Sequence, residues 1–320
     1  MATVEKTEGS SCSSEQLEGL PYQSVVKITK NFSEIICEDA LGRVYKGIMP
    51  DSNEEVDSKK EVAVKKLEQS TKITTDEFKN EVQKIMKLNH ENILELVGFC
   101  EEREKGVIER LLCYKYVPNH NQNLQEHLFG TNAAEEDASS EEPSTNWDTC
   151  FKIVKGVCHG LFFLHKFEHP IIHMYLNLKN IWLDKTMVPK IANVELLRFS
   201  FSDEQTQLYK QESYGYMAPE YLKNPGTSVE IDIYSLGVII IQVTTGEKNG
   251  RDAGDRASRK YIDKIRKDWT AEYIASKYSS FDSERLHQVH ACIKTGLECV
   301  QIDQRNRPSI EEIVDRLNTI

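Results

Sequence analysis

The chain has 320 residues, of which 39% are hydrophobic and 28% are charged. This composition is sufficient to bury one large core or two lobes, and it is not that of a chain disordered over most of its length. The formal net charge of −11 argues against a nucleic-acid partner, because a surface that binds a duplex needs a concentrated basic field.

The eight cysteines are scattered singly and form no C-x-x-C pair, so they predict neither a zinc cluster nor a disulfide scaffold. The N-terminus has no apolar h-region and no glycine after the initiator Met. No run approaches the roughly 18 apolar residues that a membrane span needs. We therefore expect a cytoplasmic protein without signal peptide, myristoyl group or transmembrane segment.

The first predicted elements are strands and one helix. Residues 1–22 are polar and rich in Ser and Glu, which predicts a disordered N-terminal segment. From Val25 to Lys66, short β-branched runs flank a polar acidic stretch, a pattern typical of strands joined by a hairpin loop. Residues 76–89 place apolar side chains at helical spacing, with Thr74 and Thr75 as candidate N-caps. Further strands are predicted at ILELVGFC and LLCYKYV.

The second half of the chain is predicted to be helical. It begins after an acidic, flexible insert at 131–146. One long amphipathic helix is predicted at CFKIVKGVCHGLFFLHKF, a buried helix at IDIYSLGVIIIQVTTG, and three amphipathic helices within 269–320. A small β-rich part followed by a larger helical part predicts an α+β fold with two lobes, 23–118 and 119–320.

Several motifs occur in the order and at the spacing of the protein-kinase signature set, namely VAVKKL, FKNEV, NLKN and YGYMAPEY. The phrases NFSEII, LVGFC, DIYSLGV and RPSIEEIV are closest to plant receptor-like kinase domains. Over residues 25–318 the chain therefore resembles the plant receptor-like kinase family. The resemblance implies a two-lobed protein-kinase-like fold, with a small β-rich N-lobe that carries one helix and a larger helical C-lobe.

The resemblance also implies that the charges which hold the kinase fold are retained. Lys65 lies in the strand motif V-A-V-K, and Glu81 lies on the following helix as its ion-pair partner. Glu220 and Arg307 occupy two positions that pair with each other, and Asp232 occupies the position that accepts hydrogen bonds from the catalytic-loop backbone. Because buried charges persist when they are paired, we expect the Lys65–Glu81 pair as a salt bridge that supports the fold.

The glycine-rich loop departs from the family pattern. It reads ICEDALGRV where the family has G-x-G-x-x-G-x-V, so Cys37 and Asp39 replace the first two glycines and only Gly42 remains. Glycines let backbone N–H groups approach phosphates closely. The carboxylate of Asp39 would stand beside the triphosphate, an unfavourable like-charge contact.

The catalytic positions also depart from the family pattern. Tyr175 stands in the place of the catalytic Asp, and Asn177 in the place of the Lys that contacts the γ-phosphate. A phenol with a pKa of about 10 cannot take a hydroxyl proton at neutral pH as a carboxylate can. Asn193 replaces the Mg²⁺-binding Asp of the D-F-G motif, while Asn180 remains at the other former ligand position. Since hard divalent cations favour anionic oxygen, we expect no metal site.

The adenine region is predicted to be overfilled. Trp182 replaces a Leu at the floor of the site, and Tyr114 occupies the gatekeeper position before the hinge. An indole in the space of a Leu overfills a nucleobase pocket, unless Trp182 turns away and packs as ordinary core. The nucleotide pocket implied by the resemblance, which we expect to be degenerate, comprises Cys37, Asp39, Gly42, Val44, Ala63, Lys65, Glu81, Tyr114, Tyr116, Asn180 and Trp182.

These losses affect separate requirements of phosphoryl transfer, which depends on metals, positioning and neutralised charge. The leading hypothesis is a catalytically impaired kinase, a pseudokinase, that acts as a scaffold or decoy and binds ATP and Mg²⁺ weakly or not at all. By resemblance its partners would be active kinases, immune receptors or pathogen effectors. Two alternatives stay open: a weakly active Ser/Thr kinase that uses ATP, supported by Lys65, Glu81 and Asn180, and one half of a larger tandem kinase.

The segment FSFSDEQTQLYKQES corresponds to the activation loop. Its candidate phosphorylation sites, where a phosphate would order or repel a partner, are Ser200, Ser202, Thr206 and Tyr209. The alternative is a solvated loop with incidental hydroxyls. The acidic stretches 53–57 and 135–142 are interpreted as solvated loops, with docking of a basic partner as the alternative.

Overall fold

A computed structural model of the protein describes residues 19–39, 42–50, 59–67, 73–117, 122–130, 146–194, 213–224, 226–249 and 255–320. A five-stranded sheet forms the first part, and helices dominate the second. The predicted α+β plan, with a β-rich N-lobe and a larger helical C-lobe, is confirmed.

The N-lobe sheet is antiparallel throughout, with strand order β1-β2-β3-β5-β4. Its strands are β1 (Ile35–Asp39), β2 (Gly42–Pro50), β3 (Lys59–Leu67), β4 (Leu96–Glu104) and β5 (Val107–Lys115). Strand β3 lies between β2 and β5, and Lys65 pairs with Val44 on one side and Leu112 on the other. This central position places the Lys65 side chain in the interior.

The N-lobe helix α2 (Thr75–Met86) begins where the sequence predicts. Thr74 is its N-cap: the Thr74 hydroxyl accepts from the Glu77 backbone N–H at 3.3 Å, and the Glu77 carboxylate accepts from the Thr74 backbone N–H at 2.9 Å. These two bonds satisfy backbone donors that a helix start leaves without partners. The helix buries Phe78, Val82 and Ile85, and it packs against β4.

A short helix, α1 (Tyr22–Ile28), covers the outer face of the N-lobe sheet. The prediction of strand structure from Val25 and of disorder up to residue 22 is therefore wrong at this boundary. The Leu20 backbone N–H donates to the Phe99 carbonyl at 2.6 Å, and Val25 is fully buried against the sheet. The adjacent valines of α1 favour a strand locally, but burial on the sheet is compatible with a helix and overrides that propensity.

The C-lobe is built on helices and one small antiparallel pair of strands, β6 (Ile181–Leu183) and β7 (Pro189–Ile191). Its helices are α3 (Leu124–Phe129), α4 (Trp147–His165), α5 (Pro219–Lys223), α6 (Val229–Thr245), α7 (Asp255–Asp268), α8 (Ala271–Lys277), α9 (Ser283–Cys299) and α10 (Ile310–Asn318). Helix α6 is buried all round from Ile231 to Thr245, as its apolar sequence predicts. It forms the centre of the C-lobe.

Helices α6 and α9 approach each other at Gly237. A Cβ atom at this position would lie 2.5 Å from Cys299 Cβ and 2.9 Å from the Gly296 carbonyl oxygen. We expect Gly237→Ala to lower the free energy of unfolding by about 2 kcal/mol, because the helices would have to move apart. Urea denaturation measures this loss. Gly226→Ala is the control, since a Cβ there meets nothing nearer than 3.9 Å; equal stability of both variants would contradict the prediction.

Some predictions fall outside the described residues, namely the acidic insert at 131–145, the acidic stretch 53–57 and the candidate phosphorylation sites Ser200, Ser202, Thr206 and Tyr209. Within the described part, the cysteines are free thiols. None of the described helices combines the length and the apolar character that crossing a bilayer requires.

Candidate functional site

A cavity of about 370 Å³ lies between the sheet and the C-lobe. This volume is within the range of small-molecule sites, about 300–1,000 Å³. Most of the predicted site residues line it: Cys37, Asp39, Val44, Ala63, Lys65, Tyr114, Tyr116, Tyr175, Asn177, Asn180, Trp182 and Asn193. Residues from strands of both lobes and from the loop around Tyr175 thus meet in one cleft.

Two predicted pocket residues, Gly42 and Glu81, are not among those that line the cavity. Gly42 has φ +140°, and a Cβ atom there would lie 2.0 Å from the Lys66 carbonyl oxygen. This glycine is therefore required by the pairing of β2 with β3. The Glu81 carboxylate forms an ion pair with Lys84 at 2.7 Å along helix α2.

The buried cation of the cleft has a different partner from the predicted one. Lys65 Nζ lies 2.6 Å from Asp39 Oδ2 and 3.2 Å from Asn193 Oδ1, and its side chain is 2% exposed. Both Lys65 and Glu81 are described, and the predicted ion pair between them is wrong. The carboxylate of Asp39 reaches the ammonium from the end of β1, two strands away in the sheet, whereas Glu81 pairs along its own helix.

The two asparagines that the resemblance places at metal-ligand positions bond to each other. Asn193 Nδ2 donates to Asn180 Oδ1 at 2.6 Å, and Asn193 Oδ1 accepts from Lys65. Asn180 Nδ2 donates to the Tyr175 carbonyl at 3.0 Å. Asn193 has φ +60°, a left-handed conformation that Asn adopts more readily than most residues. Both amide oxygens therefore already accept hydrogen bonds from protein donors.

The resemblance implies that this cleft binds ATP together with Mg²⁺. The residues present do not fit either of these ligands. The ammonium that would bind phosphate is neutralised by Asp39. The oxygens of Asn180 and Asn193 are neutral and occupied, whereas hard divalent cations favour anionic oxygen. Among the described residues, no group of three or more His, Cys, Asp or Glu side chains is placed to hold a metal ion.

Two further side chains of the cleft, Tyr114 and Cys37, are uncharged at neutral pH. Burial raises the pKa of the Tyr114 phenol, and its hydroxyl has no hydrogen-bond partner among the described residues. Burial also raises the pKa of the Cys37 thiol to about 12. Since the thiolate is the nucleophilic form, Cys37 is not poised for covalent chemistry at neutral pH.

The indole of Trp182 does not fill the cleft. Trp182 lies on β6, forms a bridge with Asn123, and is half-buried at the cavity wall. A space of about 370 Å³ remains beside it. The predicted overfilling is therefore wrong, and so is the alternative in which Trp182 leaves the pocket. The neighbouring elements leave room for the larger ring, which residue volume alone cannot show.

The loop around Tyr175 is fixed by Asp232, as predicted. The fully buried Asp232 carboxylate accepts from the backbone N–H groups of His173 and Met174, each at 2.7 Å, and lies 2.9 Å from His165 Nε2. His173 Nδ1 accepts from the Tyr175 backbone N–H at 3.2 Å, and His173 Nε2 donates to the Ala192 carbonyl at 2.8 Å. The backbone of the loop around Tyr175 is thus held in place.

The predicted pair of Arg307 and Glu220 is also confirmed. Two guanidinium nitrogens of Arg307 donate to the two Glu220 carboxylate oxygens at 2.6 and 2.8 Å. Arg307 also donates to the carbonyls of Gln301 and Glu230. Such a two-pronged, charge-assisted pair is strong and directional. The two predicted carboxylate contacts of the C-lobe, those of Asp232 and Glu220, are therefore both present.

Sequence reasoning missed some residues of the cleft. Leu94, Glu126 and Lys179 line the cavity but belong to no predicted site. Lys179 follows Asn177 by two residues in the same loop. Its closeness in sequence to a predicted site residue could have indicated that Lys179 also lines the cleft. The partnership of Asp39 with Lys65 had a signal too, because a carboxylate replaced a glycine beside the lysine strand.

Comparison with known proteins places residues 31–317 in the family described as protein tyrosine and serine/threonine kinase. Two relatives from Arabidopsis thaliana are cysteine-rich receptor-like protein kinases. Kinase 29 is 33% identical over 93% of the chain, and kinase 44 is 31% identical over 93%. The chain spans 42% of the length of the first and 76% of the second.

A solved structure has a similar fold, the pseudokinase domain of BIR2, an immune regulator of the RLK/Pelle family. It superposes with a TM-score of 0.68 at 26% sequence identity, covering 95% of this chain and 88% of the BIR2 chain. The kinase-like arrangement of the two lobes is thereby confirmed.

Proposed function

The chain belongs to the protein tyrosine and serine/threonine kinase family, and we propose that it acts there as a pseudokinase, which binds other proteins and does not transfer phosphate. The observation that carries the proposal is the pairing of Lys65 with Asp39 at 2.6 Å inside the cleft. Phosphoryl transfer needs positive charge directed at the phosphates. Here the buried ammonium is directed at a carboxylate of the same chain.

The position of the catalytic base supports the same proposal. Tyr175 is 4% exposed, and its phenol stands where a carboxylate would accept the proton of the substrate hydroxyl. An ordinary phenol has a pKa of about 10 and is protonated at neutral pH, so it is a poor general base. The pair of neutral amides at Asn180 and Asn193 likewise supports weak or absent binding of Mg²⁺.

We infer that the domain works through protein partners in signalling of the receptor-like kinase type. The fold-supporting contacts of Asp232 and Arg307 are intact, which keeps the domain surface well defined. The BIR2 domain, which resembles this chain over most of its length, is named an immune regulator. Active kinases, immune receptors or pathogen effectors are the partners that this reading predicts, in the cytoplasm.

A weakly active Ser/Thr kinase is the second candidate, because the cleft remains open at about 370 Å³ and keeps Lys65 and Asn180. The relatives named above are themselves called kinases. The variant Lys65→Met separates the two functions in a phosphotransfer assay. A weak kinase loses its turnover, whereas the activity of a pseudokinase preparation stays at background with or without the change.

We expect millimolar ATP to leave the unfolding midpoint unchanged, both with Mg²⁺ and in EDTA, because the ammonium of Lys65 is already paired. A ligand that binds only the folded state adds about 2.7 kcal/mol at 100 times its dissociation constant, so binding would be visible by thermal unfolding. A rise that requires Mg²⁺ would contradict the proposal and favour the weak kinase. A rise in EDTA would contradict the predicted absence of nucleotide binding.

A further inference from the structure

A second cavity, of about 490 Å³, lies where the two lobes meet outside the cleft. It is formed by the turn after α2, by helix α4 and by the turn between β6 and β7. Its lining includes His90, Asn92, Lys152, His159, Thr186 and Pro189, and it shares no residue with the lining of the cleft. We refer to it as the rear cavity.

The walls of the rear cavity are held rigidly. Asn92 is 5% exposed, its Nδ2 donates to the Pro189 carbonyl at 3.0 Å, and its own carbonyl accepts from the Ile191 backbone N–H at 2.8 Å. Helix α4 approaches closely at Gly156, where a Cβ atom would lie 2.5 Å from Pro189 Cγ. A site built on elements fixed in this way binds without a large ordering cost.

Three of the four titratable side chains that line this cavity are His or Lys, and Lys152 and Glu91 are the two that carry a charge when the imidazoles are neutral. His90, His159 and Lys152 line it, and Glu91 is the carboxylate on its wall. Lys152 Nζ donates to the Thr186 carbonyl at 2.8 Å, which uses one of its three donors. Lys190, next to the cavity, donates to the Glu91 carbonyl at 2.6 Å. His159 Nε2 lies 3.3 Å from Asn318 Oδ1, and Lys190 Nζ lies 3.8 Å from Asp184 Oδ2. N–H groups from different elements therefore lie around one space, and most of them also have a partner within the protein.

His90 lines the cavity and stacks on an aromatic ring beside it. Its Nδ1 accepts from the Asn92 backbone N–H at 3.1 Å, so the proton of the neutral ring is on Nε2. Burial lowers the pKa of His90, as do the charges of His159, Lys166 and Lys190, while Glu91 raises it. An anion beside His90 would favour the protonated form of its ring.

An aromatic strip borders the rear cavity. The His90 ring stacks on Phe163 with a centroid distance of 4.8 Å, and Phe167 packs against Phe163 at 5.4 Å. Lys166 Nζ lies 4.6 Å from the centre of the Phe163 ring. Phe167 is 39% exposed. A partly exposed aromatic strip beside a basic cavity suits a peptide better than a free anion, because it offers apolar contact to neighbouring residues.

We propose that the rear cavity binds a phosphorylated serine or threonine side chain of a protein partner. The phosphate would lie among His90, His159 and Lys152, with the flanking peptide against Phe163 and Phe167. A phosphate group presents three strong acceptor oxygens and a charge of about −1.5 to −2, which suits donors arriving from several sides better than a single carboxylate does. The inference rests on the proposed function as a protein-binding domain.

The test uses the whole chain and a fluorescent peptide library with a fixed central phosphoserine, next to the same library with serine or glutamate there. Fluorescence anisotropy should show binding of the phosphoserine library at least about tenfold tighter than that of the serine library. Lys152→Met should weaken it by about tenfold, because it removes the ammonium group that lines the cavity. Lys223→Met, which removes an exposed lysine on α5, is the matched control and should bind as the parent does.

Three results would overturn the inference. The first is equal binding of the phosphoserine and serine libraries. The second is an equal effect of Lys152→Met and Lys223→Met on the binding. The third is displacement of the peptide by inorganic phosphate at a concentration no higher than the dissociation constant of the peptide. The last would identify a site for small anions instead of a docking surface for a protein. Because the ATP measurement reports on the cleft alone, failure at the rear cavity is distinguishable from failure of the proposed pseudokinase function.

Discussion

Replacing Asp39 by alanine is expected to give the cleft a response to ATP that the parent protein lacks. The change removes the carboxylate 2.6 Å from Lys65 Nζ and leaves a buried ammonium without its acidic partner. Breaking such a pair costs about 3 kcal/mol or more, so the variant should unfold at a lower temperature than the parent. A triphosphate is the anion that would restore the missing charge.

The expected gain in affinity is large. Two unit charges 4 Å apart interact by about 4 kcal/mol at an effective dielectric constant of about 20. Removing the repulsion between Asp39 and a phosphate should therefore strengthen ATP binding by a factor of about a thousand. No metal is needed for this gain, because the recovered contact is made by Lys65.

Thermal unfolding with and without ATP in EDTA measures the Asp39 prediction. Glu61→Ala is the matched control, because it removes the same charge from a partly exposed pair with Lys46, and Glu61 does not line the cleft. The double variant Asp39→Ala/Lys65→Met should lose the response, since it lacks the cation. An Asp39→Ala protein whose midpoint ATP does not change would show that Asp39 is not what excludes the nucleotide.

Replacing Asp232 by alanine is expected to cause the largest loss of stability. The carboxylate is fully buried and satisfies the backbone N–H groups of His173 and Met174 as well as the ring of His165. Its removal leaves buried donors without an acceptor and a cavity beside them. We expect the free energy of unfolding to fall by about 3–5 kcal/mol, a large share of the total stability of a typical domain.

Urea denaturation followed by circular dichroism measures the effect at Asp232. Glu230→Ala is the control, because it removes a carboxylate from the first turn of the same helix, where the Arg307 contact is made by the backbone carbonyl of residue 230. We expect less than about 1 kcal/mol there. A similarly small loss for Asp232→Ala would mean that the loop around Tyr175 is held by other contacts.

Part of the candidate site could be predicted from the sequence, because the positions of its residues follow from motifs that occur in a fixed order along the chain. The cleft residues Tyr175, Asn177 and Asn193 follow from motif positions, and the structure brings them to one cavity. The pairing of Arg307 with Glu220 follows in the same way, since a buried arginine needs a carboxylate. Position along the chain was sufficient for these, because each motif has one place in the fold.

Choices between competing partners could not be predicted. Both Asp39 and Glu81 are acids able to approach Lys65, and the structure pairs the lysine with Asp39. The placement of the strands and of helix α2 relative to one another decides such a choice, and a linear sequence does not contain it. Helix α1 is a similar case, because its valines favour a strand locally while the exposed face of the sheet accepts a helix.

By itself, then, the sequence determined the two-lobed plan, the buried helix α6 and the chemical groups that the cleft lacks, because these depend on periodicity and residue type. The tertiary structure alone decided that Asp39 neutralises Lys65, that Trp182 leaves the cleft open, and that basic residues from separate segments meet at the rear cavity. Those outcomes depend on distances between residues far apart in the chain, which are set only when the lobes pack.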